Sequence, residues 1–358
     1  MSRSKSLSVF NLTKKCLYEY DTVWKWQKAL QHQIHKHRTG GHQSSPWLTG
    51  DALILCEHPP TYTLGKSAVY SGSPPCSKEA GDNGLLNGIE ADNLCQKSLR
   101  DDLGDRRTSQ DTLRTTVVMR KIERGGDITF HGPGQLVMYP ILDLSKPKKG
   151  HGDHTLKANP RFRYEDLRWY VSALEQSLIC TVDDFVRPHA RGLGTEAIAM
   201  RSAVNPGVWL RDSQPGTHTS RMAGSGGVDH SSMSKIGAIG ISASRWVCMH
   251  GASLNVTFDQ AHIRQHYYDR IVACGITDPT HKGVTSLLLT MQHYASSSTV
   301  AAPTVATAAD SFLQKFIQEL EYDPRQVSIY TDDRGDGADG VAVGMLDRVV
   351  EDCVRQGL

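Results

Sequence analysis

Three separated groups of residues in this chain have the types and spacing that chemistry uses. The first is Arg124, Gly125, Gly126, Asp127, Ile128, Thr129, Phe130 and His131, running on through Gly132-Pro133-Gly134-Gln135. Its glycines and proline set unusual backbone angles and let the chain approach another group closely. Arg124 supplies a fixed cation near exposed amides, and His131 a titratable donor or acceptor. A backbone cradle of this kind can hold an acyl headgroup, a carboxamide or a thioester. The phosphate patterns GxxxxGK[ST] and GxGxxG are absent, so nucleotide binding gains nothing. The second group places Lys235 at the mouth of a strand beside Gly237, Ala238, Ile239 and Gly240, followed by His250, Gly251, Ala252 and Ser253. A lysine held near an apolar cleft can lower a neighbouring thiol's pKa or shuttle a proton. The third is Cys274-Gly275, a thiol beside glycine at the end of an apolar stretch, followed by Thr285-Ser286-Leu287. As a thiolate, cysteine is the best side-chain nucleophile near neutral pH. Each group also has a bland reading: a glycine turn, a solvated lysine, a small buried thiol. Spacing alone does not choose Cys274 over Cys56, Cys180 or Cys248, which sit in equally apolar runs.

The elements that must position these groups follow from periodicity. Alternation over 6–9 predicts a short half-buried strand, and Val23, Trp26, Ala29, Leu30 and Ile34 share one face of a helix over 21–37. Strands are predicted at 52–56, 116–119, 128–130 and 136–142, and a helix over 164–178. Residues 208–210 and 236–241 read as a hairpin with a long insertion in its loop. A Gly-, Ser-, Pro- and Asp-rich stretch without an apolar period reads as a long loop at about 67–115, and a second insertion covers about 212–234. Residues 296–307 read as a linker, 308–320 as an amphipathic helix, and those after Pro324 as an appendage. The order predicts an α/β (α+β) fold, a mixed sheet with packed helices. It forms one core domain over 1–320, with 321–358 outside it.

Composition narrows the classes. Lys and Arg number 40 against 38 Asp and Glu, a balance that argues against a nucleic-acid partner. Nothing approaches the roughly 18 consecutive apolar residues of a membrane span. The 8 cysteines are scattered with no CxxC pair, which argues against a zinc ribbon or a disulfide framework. His151 and His154 in a Gly-rich loop read as exposed polar residues, and no metal is expected. Arg3, Lys5, Lys14 and Lys15, with several serines, precede the first acidic residue, Glu19, which reads equally as a mitochondrial transit composition or as a basic N-terminus with no address.

Taken together, these blocks resemble the lipoyl(octanoyl) transferase family. The family pattern Arg-Gly-Gly-x-x-Thr-(Tyr/Phe)-His-Gly-Pro-Gly-Gln is matched by residues 124–135, and Tyr-Pro-x-x-Asp-Leu by residues 139–144. Lys-Ile-x-(Ala/Ser)-x-Gly is matched at 235–240, His-Gly-x-(Ala/Ser)-Leu-Asn-Val at 250–256, and Cys-Gly-Ile with Val-Thr-Ser-Leu at 274–276 and 284–287. Glu57-His58-Pro59-Pro60 also fits. The resemblance implies the biotin/lipoate protein ligase catalytic fold and octanoyl transfer without a cofactor. It implies Cys274 as nucleophile and Lys235 as its partner. The three glycine-containing stretches, 124–131, 238–240 and 251–253, would bind substrate. The implied partners are octanoyl-acyl carrier protein and the lipoyl domains of 2-oxoacid dehydrogenase E2 subunits and glycine cleavage H protein. A eukaryotic member would be expected in mitochondria, and a bacterial one in the cytoplasm. The alternative is an ATP-dependent lipoate/biotin-type protein ligase, whose Gly-Arg-Gly-Arg loop is not found. The two insertions, Asp127 and the tail after Pro324 depart from the compact family pattern.

Overall fold

The computed structural model describes residues 6–39, 50–68, 85–86, 118–145, 167–190, 199–202, 206–211, 233–257, 283–295, 300–332 and 341–356. Twelve strands occur among them: β1 (Leu7–Asn11), β2 (Asp51–Cys56), β3 (Thr61–Leu64), β4 (Leu85–Leu86), β5 (Val118–Lys121), β6 (Ile128–His131), β7 (Gln135–Asp143), β8 (Ala199–Arg201), β9 (Val208–Arg211), β10 (Met233–Ser244), β11 (Val247–Asn255) and β12 (Val327–Thr331). The helices are α1 (Tyr20–Arg38), α2 (Leu167–Val186), α3 (Leu287–Ala295), α4 (Val305–Glu319) and α5 (Val341–Arg355).

Eight strands form one sheet in the order β12-β1-β2-β7-β11-β10-β9-β8, and four form a second in the order β4-β5-β3-β6. In the large sheet β1 pairs in parallel with both β12 and β2, whereas β2, β7, β11, β10, β9 and β8 pair antiparallel in turn. The mixed sheet with helices agrees with expectation.

The central strands read as apolar runs because both their faces are covered. Leu53 and Leu55 of β2 and Leu136 and Met138 of β7 point into one core, against α2, α3 and α4. Ala52 and Ile54, with Val137 and Tyr139, point into the other, against α1 and α5. This explains β1, where the polar alternation suggested half-burial: all five residues are buried, Ser8 and Asn11 included. The helix predicted over 164–178 continues to Val186, and the one predicted from 308 begins at Val305, capped by the Thr304 side chain accepting from Thr307 N.

Three readings are corrected. The tail is not an appendage. β12 lies beside β1 in register, and α5 packs on α1 with Ala342, Leu346 and Val349 fully buried in the second core. The 67–115 stretch, read as loop throughout, contains β4, which pairs with β5; most of that stretch lies outside the described residues. The insertion at 212–234 is shorter at its end than expected, because β10 already begins at Met233. The hairpin reading of β9 and β10 holds.

Candidate active site

Two of the three groups converge on one cavity of about 240 Å³. Its floor is the β10–β11 hairpin, where Ala238, Ile239 and Gly240 pair with Ser253, Ala252 and Gly251. Arg124, Gly125, Gly126, Thr129 and His131 form one wall, and Lys235 lies at the edge with Pro206. Thus eleven of the fourteen substrate-site candidates, together with Lys235, line one space. Asp127, Ile128 and Phe130 do not. Side chains alternate along β6, so Thr129 and His131 face the cavity while Phe130 turns away onto Tyr62, 5.3 Å between ring centres. Asp127 is exposed.

The Arg124 guanidinium is fixed within the protein. It donates to the Thr63 carbonyl at 2.6 Å and to Thr63 Oγ1 at 3.0 Å, and Nη1 donates to the Gly125 carbonyl at 3.0 Å. The Gly125 N–H is committed to the Ile241 carbonyl at 3.0 Å. These contacts lock the loop onto β3 and β10. They also change the meaning of two glycines read as room for a ligand. A Cβ on Gly240 would lie 2.9 Å from Arg124 Cδ, and one on Gly251 only 2.2 Å from the Met138 carbonyl oxygen. Both make space first for protein.

His131 is held in one tautomer. Gln135 Nε2 donates to the Phe130 carbonyl at 3.2 Å, which can only accept. Gln135 Oε1 therefore faces His131 Nδ1, at 2.7 Å, and Nδ1 carries the hydrogen. Burial, then neighbouring His58, pushes His131 down to about 3, so the ring is neutral. Gln135 continues to Asn255 Oδ1 at 3.0 Å, and Asn255 Nδ2 donates to the Thr285 carbonyl at 3.0 Å. The first and third groups are thereby joined.

Lys235 is buried inside β10 rather than at its mouth, at a register shift between Lys235 and Gly237. Its ammonium lies 5.2 Å from the centre of the Trp209 ring. The Lys235 N–H donates to the Gly283 carbonyl at 3.0 Å, and the Thr285 N–H to the Lys235 carbonyl at 2.9 Å. The segment just downstream of the cysteine block therefore forms a bridge to the lysine strand. Cys274 itself lies outside the described residues, as do His151 and His154. Among the described residues Cys56 and Cys248 are buried in the cores, and no His/Cys/Asp/Glu group could hold a metal ion.

Several cavity residues were not assigned a site role from the sequence. Tyr20 and Tyr139 line it, and the Tyr139 hydroxyl donates to His58 Nε2 at 2.8 Å. His250 also lines it, with φ 57, in the left-handed region. Pro140 has no N–H to offer, and β7–β11 pairing lapses between Leu142–Cys248 and Met138–Ala252, opposite this proline. His250 there reaches toward α1: its N–H donates to Gln27 Oε1 at 3.0 Å and Nε2 lies 3.3 Å from Glu123 Oε2. A proline within an otherwise apolar strand was the available signal.

Residues 108–317 match the family described as Lipoyl protein ligase A/B catalytic domain. The chain is 33% identical over 270 residues to an octanoyltransferase of Flavobacterium johnsoniae, covering 75% of this chain and 81% of that protein. It is 32% identical over 263 residues to an octanoyltransferase of Gloeobacter violaceus, covering 74% of each. Among solved structures, a lipoate-protein ligase A bound with ATP superposes with a TM-score of 0.45 at 8% identity, over 98% of this chain and 95% of that one.

Proposed function

Because this chain belongs to the octanoyltransferases, within the lipoyl protein ligase A/B catalytic domain family, we propose that it moves octanoyl from acyl carrier protein to a lipoyl-domain lysine through a thioester on Cys274. The observation that carries this reading is the convergence of the Arg124–His131 loop, Lys235 and the β10–β11 floor on one cavity, with Thr285 hydrogen-bonded to the Lys235 backbone.

In the first step Lys235, as the free amine, takes the proton of the Cys274 thiol. The thiolate attacks the thioester carbonyl of the donor, a new C–S bond forms, and the pantetheine sulfur leaves with the proton returned by Lys235. In the second step the acceptor lysine amine attacks the octanoyl-enzyme carbonyl. An amide forms, the bond to Cys274 breaks, and the surplus amine proton passes through Lys235 to the leaving thiolate. Thioester exchange is close to thermoneutral and thioester-to-amide transfer is downhill, so no ATP is consumed. The Gly125 amide is already bonded to Ile241, so we assign oxyanion stabilisation to a backbone amide near Gly275.

The cavity suits the acyl group. An apolar cavity of about 150 Å³ holds one benzene, six heavy atoms. By that proportion 240 Å³ takes about ten, against nine in octanoyl. About six methylenes at ~0.8 kcal/mol each would contribute about 5 kcal/mol to binding. The acceptors proposed are lipoyl domains of 2-oxoacid dehydrogenase E2 subunits and glycine cleavage H protein, and the compartment proposed is the mitochondrion.

The test is mass spectrometry of the full chain after incubation with octanoyl-acyl carrier protein. An added octanoyl on Cys274, absent from Cys274→Ser, is expected. No adduct, or ATP-dependent loading that survives Cys274→Ser, would overturn the mechanism in favour of a ligase. A tagged chain imaged outside mitochondria would overturn the compartment.

A further inference from the structure

Backbone bonds fix where Lys235 leaves β10, but its rotatable stem decides where the amine lies. Two neighbours confine that end. Trp209, opposite Lys235 in the β9–β10 register, stands with its ring centre 5.2 Å from Nζ. Gly207 packs directly on the stem. A Cβ at Gly207 would meet Lys235 Cε at 2.9 Å, Lys235 Nζ at 3.4 Å and the Gly237 carbonyl oxygen at 2.5 Å. Its φ of 120 is one that glycine adopts and other residues avoid. Gly207 thus brings backbone as close to the lysine as backbone can come, and Pro206 beside it lines the acyl cavity together with Lys235.

Gly207 precedes β9, and its N–H is held from outside the sheet. Glu175 of α2 accepts it on Oε1 at 3.2 Å. Glu175 is 7% exposed, and a carboxylate so buried requires donors. Arg201, at the end of β8, supplies the other: its Nε lies 3.2 Å from Glu175 Oε2. Arg201 is itself pinned to α2, its Nη2 donating to the Ser172 carbonyl at 2.9 Å and to Gln176 Oε1 at 2.8 Å. Burial raises the Glu175 pKa, and the Gly207 N–H, Arg201 and the charge of Lys235 act against that rise. Each carboxylate oxygen already takes a donor, so Glu175 acts through the Gly207 backbone and not as a second base.

We infer that Glu175 is a positioning residue for the transfer reaction: it holds Gly207 against Lys235 and so sets where the amine stands for proton transfer. The inference rests on the proton-transfer role proposed for Lys235 above. Its chain of contacts is short and continuous, from the Glu175 carboxylate to the Gly207 N–H and from the Gly207 Cα to Lys235 Cε and Nζ. A lysine stem without that stop would sample positions from which the amine cannot reach the thiol, and a small displacement of a reacting group costs rate.

The test, on the full chain, separates reach from charge. Glu175→Asp keeps the carboxylate but is one methylene too short for the Gly207 N–H. Glu175→Gln keeps an oxygen at that reach and loses the charge. With saturating octanoyl-acyl carrier protein, single-turnover octanoylation of Cys274 should slow about tenfold in the aspartate variant. Its half-saturating donor concentration and melting temperature should match the wild type. The glutamine variant should stay within about threefold of the wild-type rate. An aspartate variant at the wild-type rate, or a glutamine variant as slow as the aspartate one, overturns the inference.

A double-mutant cycle tells positioning from a general structural loss. In a Lys235→Met background Glu175→Asp should cost less than about twofold, because no amine is left to misplace. A cost of about tenfold persisting there overturns the inference. Acetylation by acetic anhydride, with Lys235 read by peptide mapping against the exposed Lys25 and Lys66, involves no octanoyl donor. Lys235 should be acetylated severalfold faster in the aspartate variant than in the wild type or the glutamine variant, and equal labelling overturns the inference. Absence of octanoyl transfer by the wild type would sink the octanoyl reading, while the labelling would still decide whether Glu175 confines Lys235.

Discussion

Thr285 donates its backbone N–H to the Lys235 carbonyl at 2.9 Å, and Lys235 donates its own to Gly283 at 3.0 Å. Two segments nearly fifty residues apart are thus held in one parallel bridge, Lys235 to Val284. Asn255 adds a side-chain bond to the Thr285 carbonyl from β11. The position of Lys235 is therefore fixed by backbone on both sides, as the proton-transfer role proposed for it requires.

From that fixation follows a separation of charge from proton transfer. Lys235→Met removes the amine while keeping the length and apolar stem of the side chain. It should retain the fold but slow single-turnover octanoylation of Cys274 by about 10²–10⁴-fold. Lys235→Arg keeps a cation but cannot release its proton near neutral pH, so it should not rescue the rate. Full activity of the arginine variant would show that only the positive charge matters.

Gly240 is expected to be intolerant for a reason lying in the wall rather than the ligand. Its missing Cβ makes room for Arg124 Cδ. Gly240→Ala should displace Arg124 from Thr63, lower stability by about 1–3 kcal/mol through overpacking, and reduce transfer. Arg124→Ala in the same background should add less than its own cost, because it removes the Cδ that the new methyl meets. A Gly240→Ala protein with unchanged melting and rate would show that the loop does not depend on this contact.

The contrast between these residues explains what the sequence disclosed. The glycine loop, Lys235 and the hairpin floor were visible because each is contiguous in sequence, and the mixed sheet because its apolar runs are uninterrupted. Tyr20, His58, Tyr139 and His250 reach the site through long-range packing, which a linear pattern does not carry. The tail was misread for a related reason. Strand β12 is half exposed at the sheet edge and α5 presents only a narrow buried stripe, so neither looks like core until it is placed against β1 and α1. Asp127 precedes β6, so alternation along that strand says nothing of its side chain, and its exposure is legible only in the structure.

Acid should destabilise the protein before carboxylates are protonated. His131 is lowered to about 3 and His58 to about 4, burial being the first cause in each. Below the unfolded value of about 6.5 the unfolded chain binds protons that the folded chain refuses, so stability falls as pH drops. The loss should run from about pH 6.5 toward 4, at up to about 1.4 kcal/mol per pH unit for each ring. Urea midpoints measured from pH 7 to 4.5 check this. His131→Asn should flatten the slope, and an unchanged slope would assign it to other groups.

The tail should be indispensable to folding. Leu346 and Val349 are fully buried against α1, and Trp26 Nε1 donates to Asp347 Oδ1 at 2.8 Å. On the other side Tyr322 donates to Asp51 Oδ2 at 2.7 Å, so the chain entering β12 is itself anchored to β2. Leu346→Ala should cost about 2–5 kcal/mol, the range for truncating a buried leucine. At about 2–4 °C per kcal/mol the melting temperature should fall by roughly 4–20 °C. Deleting residues 325–358 should do more, since it strips β1 of a partner strand and exposes the outer face of α1. Such a truncated chain is expected to be insoluble or unfolded by circular dichroism. A cooperatively folded and active truncation would return the tail to the status of an appendage.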